Sequence, residues 1–246
     1  MNGDGYAALA AVYDDWQGRY GSFSARVLER LLPLLARERP APRSFLDAGC
    51  GTGALLVALA ARFPSWRLAG FDQSPEMLAR ARAKASAVAI AWHELPLGAA
   101  VPGAAFDAAG AFFNTLNHLA SVADLGRTLG ALARALRPGG LLAFDVNNRA
   151  GFERWWRGQR VYEGPGWRLE MNAAFDDTAG RAEARVRVVR AGKVTADTVV
   201  AERLFSDDEI ISALAAAGLQ VRARELWAPT SSDVPGATFW TARRVG

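Results

Sequence analysis

Apolar positions near the N-terminus recur with helical spacing. Tyr6, Leu9, Ala10 and Tyr13 mark one face, and Phe23, Val27, Leu31, Leu34 and Leu35 mark a second helix over roughly 23–37. Pro40 and Pro42 close that region. The pattern then alternates between short apolar runs and helical stretches. Strands are predicted at 44–48, 66–71, 88–92, 106–113 and 141–146. Helices are predicted at 54–62, from the Ser74 cap with Pro75 behind it to about 85, and from the Ser121/Asp124 capping pattern to 137. Pro138-Gly139-Gly140 reads as the turn into the fifth strand, whose continuous apolar run suits burial on both faces. Such alternation argues for a parallel sheet covered by helices.

The period changes after Asn147. Residues 148–166 read as irregular. Extended runs follow at 167–175, 181–190 and 194–205, the second alternating Ala182, Ala184, Val186 and Val188 with Arg181, Glu183, Arg185 and Arg187. Asp176 to Gly180 and Ala191-Gly192-Lys193 have turn chemistry, so the stretch reads as a half-exposed antiparallel meander. A capping box at Ser206 to Glu209 opens a helix that stops at Gly218, and two strands, about 219–227 and 237–243, finish the chain. The expected organisation is 1–147 as lid helices and core, 148–204 as the β insert, and 205–246 as completion of the core sheet.

The stretch richest in chemistry is Phe45-Leu46-Asp47-Ala48-Gly49-Cys50-Gly51-Thr52-Gly53. A strand delivers three glycines at alternate positions to the start of a helix. Glycine lets a ligand press against the backbone, and the helix beyond offers free N–H groups. Gly70-Phe71-Asp72 closes the second strand, with Asp72 21 positions after Gly51. An acidic residue at about that distance, on the neighbouring strand, can take both hydroxyls of a ribose. An adenosine-type ligand across strands one and two is the direct expectation.

Composition narrows the field. The 246 residues are 51% hydrophobic and 22% charged, which suits a globular chain. The net charge of +4 comes from scattered arginines with no dense basic run, so nucleic acid is an unlikely partner on this pattern. One cysteine and two histidines cannot assemble a zinc cluster of the usual spacing, and no metal site is expected. Cys50 alone forms no intrachain disulfide. With neither a basic-then-apolar leader nor a bilayer-length apolar run in view, a cytoplasmic location without membrane contact is expected.

The glycine spacing is G-x-G-x-G, not the G-x-G-x-x-G of dinucleotide sites. Here the chain resembles the class I S-adenosylmethionine (SAM)-dependent methyltransferases. Leu46 to Gly53 is similar to their first motif and Phe71 to Leu78 to their second, while Phe106-Asp107-Ala108 and Leu136 to Gly140 also match. The resemblance implies an α/β fold: a Rossmann-like, mostly parallel seven-stranded sheet with helices on both faces and an antiparallel β insert after strand five. It implies SAM as cofactor and S-adenosylhomocysteine (SAH) as product. Gly49, Gly51 and Gly53 would contact the methionine part, and Asp47 would order that loop or meet the amino group. Asp72 would hold the ribose, with Gln73 and Met77 beside the adenine. Cys50, Phe112 and Asn114 count among the cofactor contacts. The usual acidic residue after strand three is absent from Ala91 to Pro96, so either Trp92 packs on the adenine or a backbone group serves it. The N-terminal tyrosines and the insert are similar to those of small-molecule, notably sugar N-, methyltransferases.

The implied reaction is in-line methyl transfer to N or O of a small-molecule acceptor, mainly through positioning. His118 is the candidate base, because its ordinary pKa suits proton transfer near neutrality. Tyr13, Tyr20, Asn147 and Trp155 are candidates for lining the acceptor pocket. Arg154-Trp155-Trp156-Arg157 fits either an acceptor clamp or a homodimer contact. Methylation of a protein or RNA, and a SAM-binding scaffold without turnover, are the alternative readings.

Overall fold

A computed structural model describes residues 4–18, 23–85, 88–103, 105–228 and 235–246. Three helices lead the chain: α1 (Asp4–Ala7), α2 (Tyr13–Gly18) and α3 (Phe23–Arg37). The core alternates β1 (Ser44–Ala48), α4 (Ala54–Arg62), β2 (Arg67–Asp72), α5 (Pro75–Lys84), β3 (Ile90–Glu94), β4 (Phe106–Ala111), a 3₁₀ turn (Thr115–His118), α6 (Val122–Ala135) and β5 (Leu136–Asn147). The insert follows as α7 (Arg149–Trp155), β6 (Gly158–Gly164), β7 (Trp167–Asp176), β8 (Arg181–Arg190) and β9 (Lys193–Arg203). Then α8 (Asp207–Ala216), β10 (Leu219–Trp227) and β11 (Ala237–Arg244) return to the core.

The main sheet has seven strands in the order β10-β11-β5-β4-β1-β2-β3. β3, β2, β1, β4 and β5 run parallel, whereas β11 pairs antiparallel with β5 and with β10. Residue parity explains its two apolar faces. Leu46, Ala109, Leu142, Phe144 and Trp240 face α6 and α8, while Phe45, Ala108, Leu141 and Phe239 face α3 and α4. The chain order reverses between β1 and β4, the switch point where open α/β sheets leave a crevice at their carboxyl edge.

The four strands of the insert form a separate antiparallel sheet, β6-β7-β8-β9. Its inward parity, Leu169, Ala182, Ala184, Val186 and Val188, packs on Leu9 and Val12 of the N-terminal segment and on Phe152 and Trp156. Lid and insert therefore share one small core.

Two local readings need correction. Residues 148–166 carry order, α7 and β6, because Asn148 caps the helix by accepting from Gly151 N–H and Phe152 buries its ring in the insert core. Pro138-Gly139-Gly140 lies inside an extended β5 that starts at Leu136, where the pairing with β4 skips from Leu136 to Leu141.

Candidate active site

A cavity of about 690 Å³ opens over the carboxyl ends of β1, β2 and β4. Its floor is the glycine loop and Asp72, its roof Tyr6, Tyr13 and Gln17 from the lid, and its far wall Glu183, Val200 and Glu202 from the insert.

At the floor, Asp47 pairs in register with Gly70 and Ala48 with Phe71, so Asp47 and Asp72 close neighbouring strands. Gly49, Gly51 and Gly53 have φ of 65°, 53° and 73°, a region that costs a side-chain-bearing residue about 1–2 kcal/mol. A Cβ on Gly49 would stand 2.6 Å from Thr115 Cγ2, so the 3₁₀ turn packs straight onto the loop. A Cβ on Gly51 would meet nothing within 4 Å, which leaves that stretch of backbone open to the cavity. Asp72 secures the loop: Oδ2 accepts from Gly51 N–H at 2.9 Å and Oδ1 from Ser74 N–H at 2.9 Å. Those bonds work against burial, which still raises its pKa. Asp47 is buried, and among the described residues no hydrogen bond holds its carboxyl. Burial, reinforced by the Asp72 charge, pushes it up to about 8. A buried carboxyl without a partner at a cavity wall can answer a cation from outside the chain.

The lid is tied to this floor. Asp14 Oδ1 accepts from Thr52 Oγ1 at 2.6 Å, and Lys84 Nζ reaches Asp14 at 2.9 Å and Thr52 Oγ1 at 3.2 Å.

The far end holds a titratable cluster. His118 Nδ1 lies 3.0 Å from the Ala201 carbonyl, which as an acceptor requires the proton on Nδ1. Nε2 is then the acceptor, 3.1 Å from the Tyr6 hydroxyl. Burial pushes the imidazole below its ordinary pKa, so it is neutral at pH 7. Glu202 Oε2 accepts from Asn147 Nδ2 at 2.7 Å, while Oε1 lies 3.7 Å from His118 Nε2. Burial pushes Glu202 up to about 8. Burial also raises the Tyr6 and Tyr13 hydroxyls, and both feel the charges of Glu202 and Asp72, so they span the two ends.

The cavity gathers Asp47, Gly49, Cys50, Gly51, Asp72, Gln73, Met77, Phe112, Tyr13 and His118. It does not gather five others. Gly53 turns its α-carbon to the Trp92 ring, where a Cβ would fall 2.5 Å from Cη2. Trp92 thus packs against the loop beside Ala81, and Leu95, Pro96 and Leu97 line the cavity instead. Asn114 lies behind Phe113: its N–H donates to Asp145, and its buried Oδ1 is without a partner. Asn147 sits behind Glu202 and donates to its carboxylate. Trp155 packs its ring on Gly151 and Gly236, where α7 meets the approach to β11, away from the cavity lining. Tyr20 lies outside the described residues. Tyr6 entered the sequence reading only as a lid residue, and Glu202 did not enter it at all. Its one signal is parity: Val200 and Glu202 share the inward face of β9.

Among the described residues no cluster of three or more potential metal ligands occurs, and no helix is long and apolar enough to cross a membrane. The family described as methyltransferase domain matches residues 45–140. The chain is 40% identical over 140 residues to the demethylmenaquinone methyltransferase of Thermus thermophilus, covering 56% of this chain and 61% of that protein. It spans about half the length of the curated relatives it matches first (52% and 61%). A longer match, 29% over 231 residues, covers 86% of this chain and 90% of dTDP-3-amino-3,4,6-trideoxy-alpha-D-glucopyranose N,N-dimethyltransferase of Streptomyces venezuelae. The structure of the sugar N-methyltransferase KedS8 from Streptoalloteichus superposes with a TM-score of 0.73 at 28% identity, over 95% of this chain and 93% of that one. Residues 45–140, which hold the glycine loop and the paired aspartates, are similar to the methyltransferase domain family, and the fold over most of the chain is similar to that of a sugar N-methyltransferase.

Proposed function

We propose that this chain transfers the methyl group of SAM to N or O of a small-molecule acceptor. One observation carries the reading: a single cavity joins the glycine loop and paired aspartates to a buried Tyr6–His118–Glu202 cluster under a lid and an insert. A macromolecular acceptor would need an open groove at that place. The Streptomyces venezuelae relative, whose name specifies an amino sugar, supports a sugar-like acceptor. Arg181 and Arg203 also line the cavity and give an anionic substituent a landing.

The residues fit the donor. The open Gly51 backbone receives its amino-acid part, the unpartnered Asp47 its ammonium, and Asp72 its ribose. Met77, Gln73 and Leu95 to Leu97 flank the base. Bound there, SAM supplies an already activated methyl group, so alignment is the protein's main task, worth on the order of 7–11 kcal/mol for well-held partners. Tyr13 and Tyr6 close the roof and exclude water. The Ala201 carbonyl fixes the His118 tautomer, so Nε2 accepts from the Tyr6 hydroxyl and holds the Tyr6 oxygen in place beside the acceptor.

Thermal stabilisation tests the donor half. At a hundred times its Kd, SAH adds about 2.7 kcal/mol, which in a chain of this size is a rise of roughly 5–10 °C. Asp72→Ala loses both loop bonds and the ribose contact, and its shift falls to near zero. A full shift in that variant, or stabilisation by NAD in place of SAH, would overturn the assignment.

A further inference from the structure

We infer that Glu202 is the acceptor-selecting residue: its free carboxylate oxygen binds the acceptor as an ammonium and takes the proton that frees the nitrogen to react. The inference rests on the methyltransferase reading above and deepens it at the same cavity.

The geometry comes first. Glu202 is 6% exposed, and it is held from one side only. Asn147 Nδ2 fixes Oε2 at 2.7 Å, and Asn147 is itself pinned, its N–H donating to Asn117 Oδ1 at 2.9 Å. Oε1 has no such bond. His118 Nε2 is 3.7 Å away and carries no proton, because Nδ1 spends it on Ala201. The Nε2 lone pair is already engaged by the Tyr6 hydroxyl. Oε1 is therefore a buried carboxylate oxygen at this end of the cavity that lacks a donor among the described residues.

Charge decides what it takes. The groups facing Glu202 are the neutral His118, the Tyr6 and Tyr13 hydroxyls, and Asp145 from β5, whose charge works against a second anion. None is a cation. A buried carboxylate without a cation is costly, and an incoming ammonium removes that cost. A hydroxyl brings a hydrogen bond but no charge, so the site discriminates between the two.

The balance closes. An N–H bond of the ammonium breaks and an O–H bond forms on Glu202, leaving a neutral amine and a neutral carboxylic acid. The nitrogen lone pair then forms the N–CH₃ bond as the S–CH₃ bond breaks, its electron pair staying on sulfur. The proton on Glu202 passes to solvent when the methylated ammonium product leaves. A carboxyl raised by burial is well matched to an alkylammonium, which an ordinary carboxylate is too weak a base to deprotonate.

The test uses the full chain with SAM and matched sugar pairs, free and nucleotide-linked, that differ only by amine against hydroxyl. The readout is SAH release. Amine members are the substrates of the native chain. Glu202→Gln keeps an oxygen for Asn147 and lowers kcat/KM for amines about 100-fold. It also removes the rise of rate with pH centred near 8, while Glu202→Asp restores part of both. Turnover of hydroxyl members only, of no amine at all, or undiminished amine turnover by Glu202→Gln overturns the inference. SAH stabilisation is measured on each variant: its retention shows that the fold and donor end survive, and its absence in the native chain would sink the donor reading instead.

Discussion

Asp47→Asn separates the donor reading from mere fold. In the free protein, burial and the neighbouring Asp72 hold the Asp47 carboxyl at about 8 against an ordinary 3.8. At pH 7 such a group is protonated about ten to one. An ammonium placed against it favours the carboxylate, so SAH binding at pH 7 releases roughly 0.9 proton from this site. The sign for stability follows. The folded state holds this proton up to about pH 8, whereas the unfolded chain releases it near 3.8. The Asp47 contribution is therefore fully present below 3.8 and declines as pH rises to about 8. Asparagine has no ionised form to hold out of water, so the variant without ligand is more stable than the native chain at pH 7. The gain is a few kcal/mol, roughly 5–10 °C in midpoint at this chain length.

Calorimetry reads the proton directly. SAH is titrated into protein in phosphate and in Tris, and the difference in apparent enthalpy gives the protons released. The native chain releases close to one; Asp47→Asn releases little and binds SAH about 100-fold more weakly, having lost a buried ion pair. An unchanged proton count in the variant would show that Asp47 does not receive the ammonium. Lower stability of Asp47→Asn at pH 7 would show that the carboxyl is satisfied within the chain, and the argument from burial would fail with it.

Two other substitutions probe the scaffold behind the site. Gly49→Ala forces a side chain into positive φ and sets its Cβ 2.6 Å from Thr115 Cγ2, so it lowers stability by about 1–3 kcal/mol and weakens SAH binding. Adding Thr115→Ser deletes that methyl and recovers part of the loss in denaturant melts; no recovery would refute the contact. Asn147→Ala leaves Glu202 without its one fixed bond. Because that bond favours the charged form, its loss raises the Glu202 pKa further, so the pH–rate profile for amine acceptors moves to higher pH and kcat falls about 10-fold. An unmoved profile would place Asn147 outside the chemistry.

The donor end was legible because its determinants are local. Strand, glycines, helix and terminal Asp occupy 44–72, and the parallel pairing of β1 with β2 brings Asp47 and Asp72 together without help from distant residues. Trp92 misled for a tertiary reason. Its place after the third strand suited a base-stacking role, but sequence does not say which face of the sheet the ring takes, and Gly53 leaves room for it against the loop. The Arg- and Trp-rich run at 154–157 fits an acceptor clamp or a dimer contact equally on sequence, and the structure packs Trp155 on Gly151 and Gly236.

The acceptor end resists reading because no short segment contains it. Tyr6, His118, Asn147 and Glu202 come from the lid, the 3₁₀ turn, the end of β5 and the last strand of the insert, and 196 positions separate the first from the last. Their meeting depends on how two modules dock. The insert sheet packs its apolar parity on Leu9, Val12 and Phe152, and that packing sets β9 over the crevice. Within β9, alternation turns Val200 and Glu202 inward together, the first into the shared core and the second into the cavity. An acid on the inward parity of a strand opposes the rule that buries apolar side chains, and burial without a charged partner raises its energy. Inward carboxyls are tolerable where something outside the chain can answer them. On the proposed function, the residue least consistent with packing would mark the acceptor end, as the unpartnered Asp47 would mark the donor end.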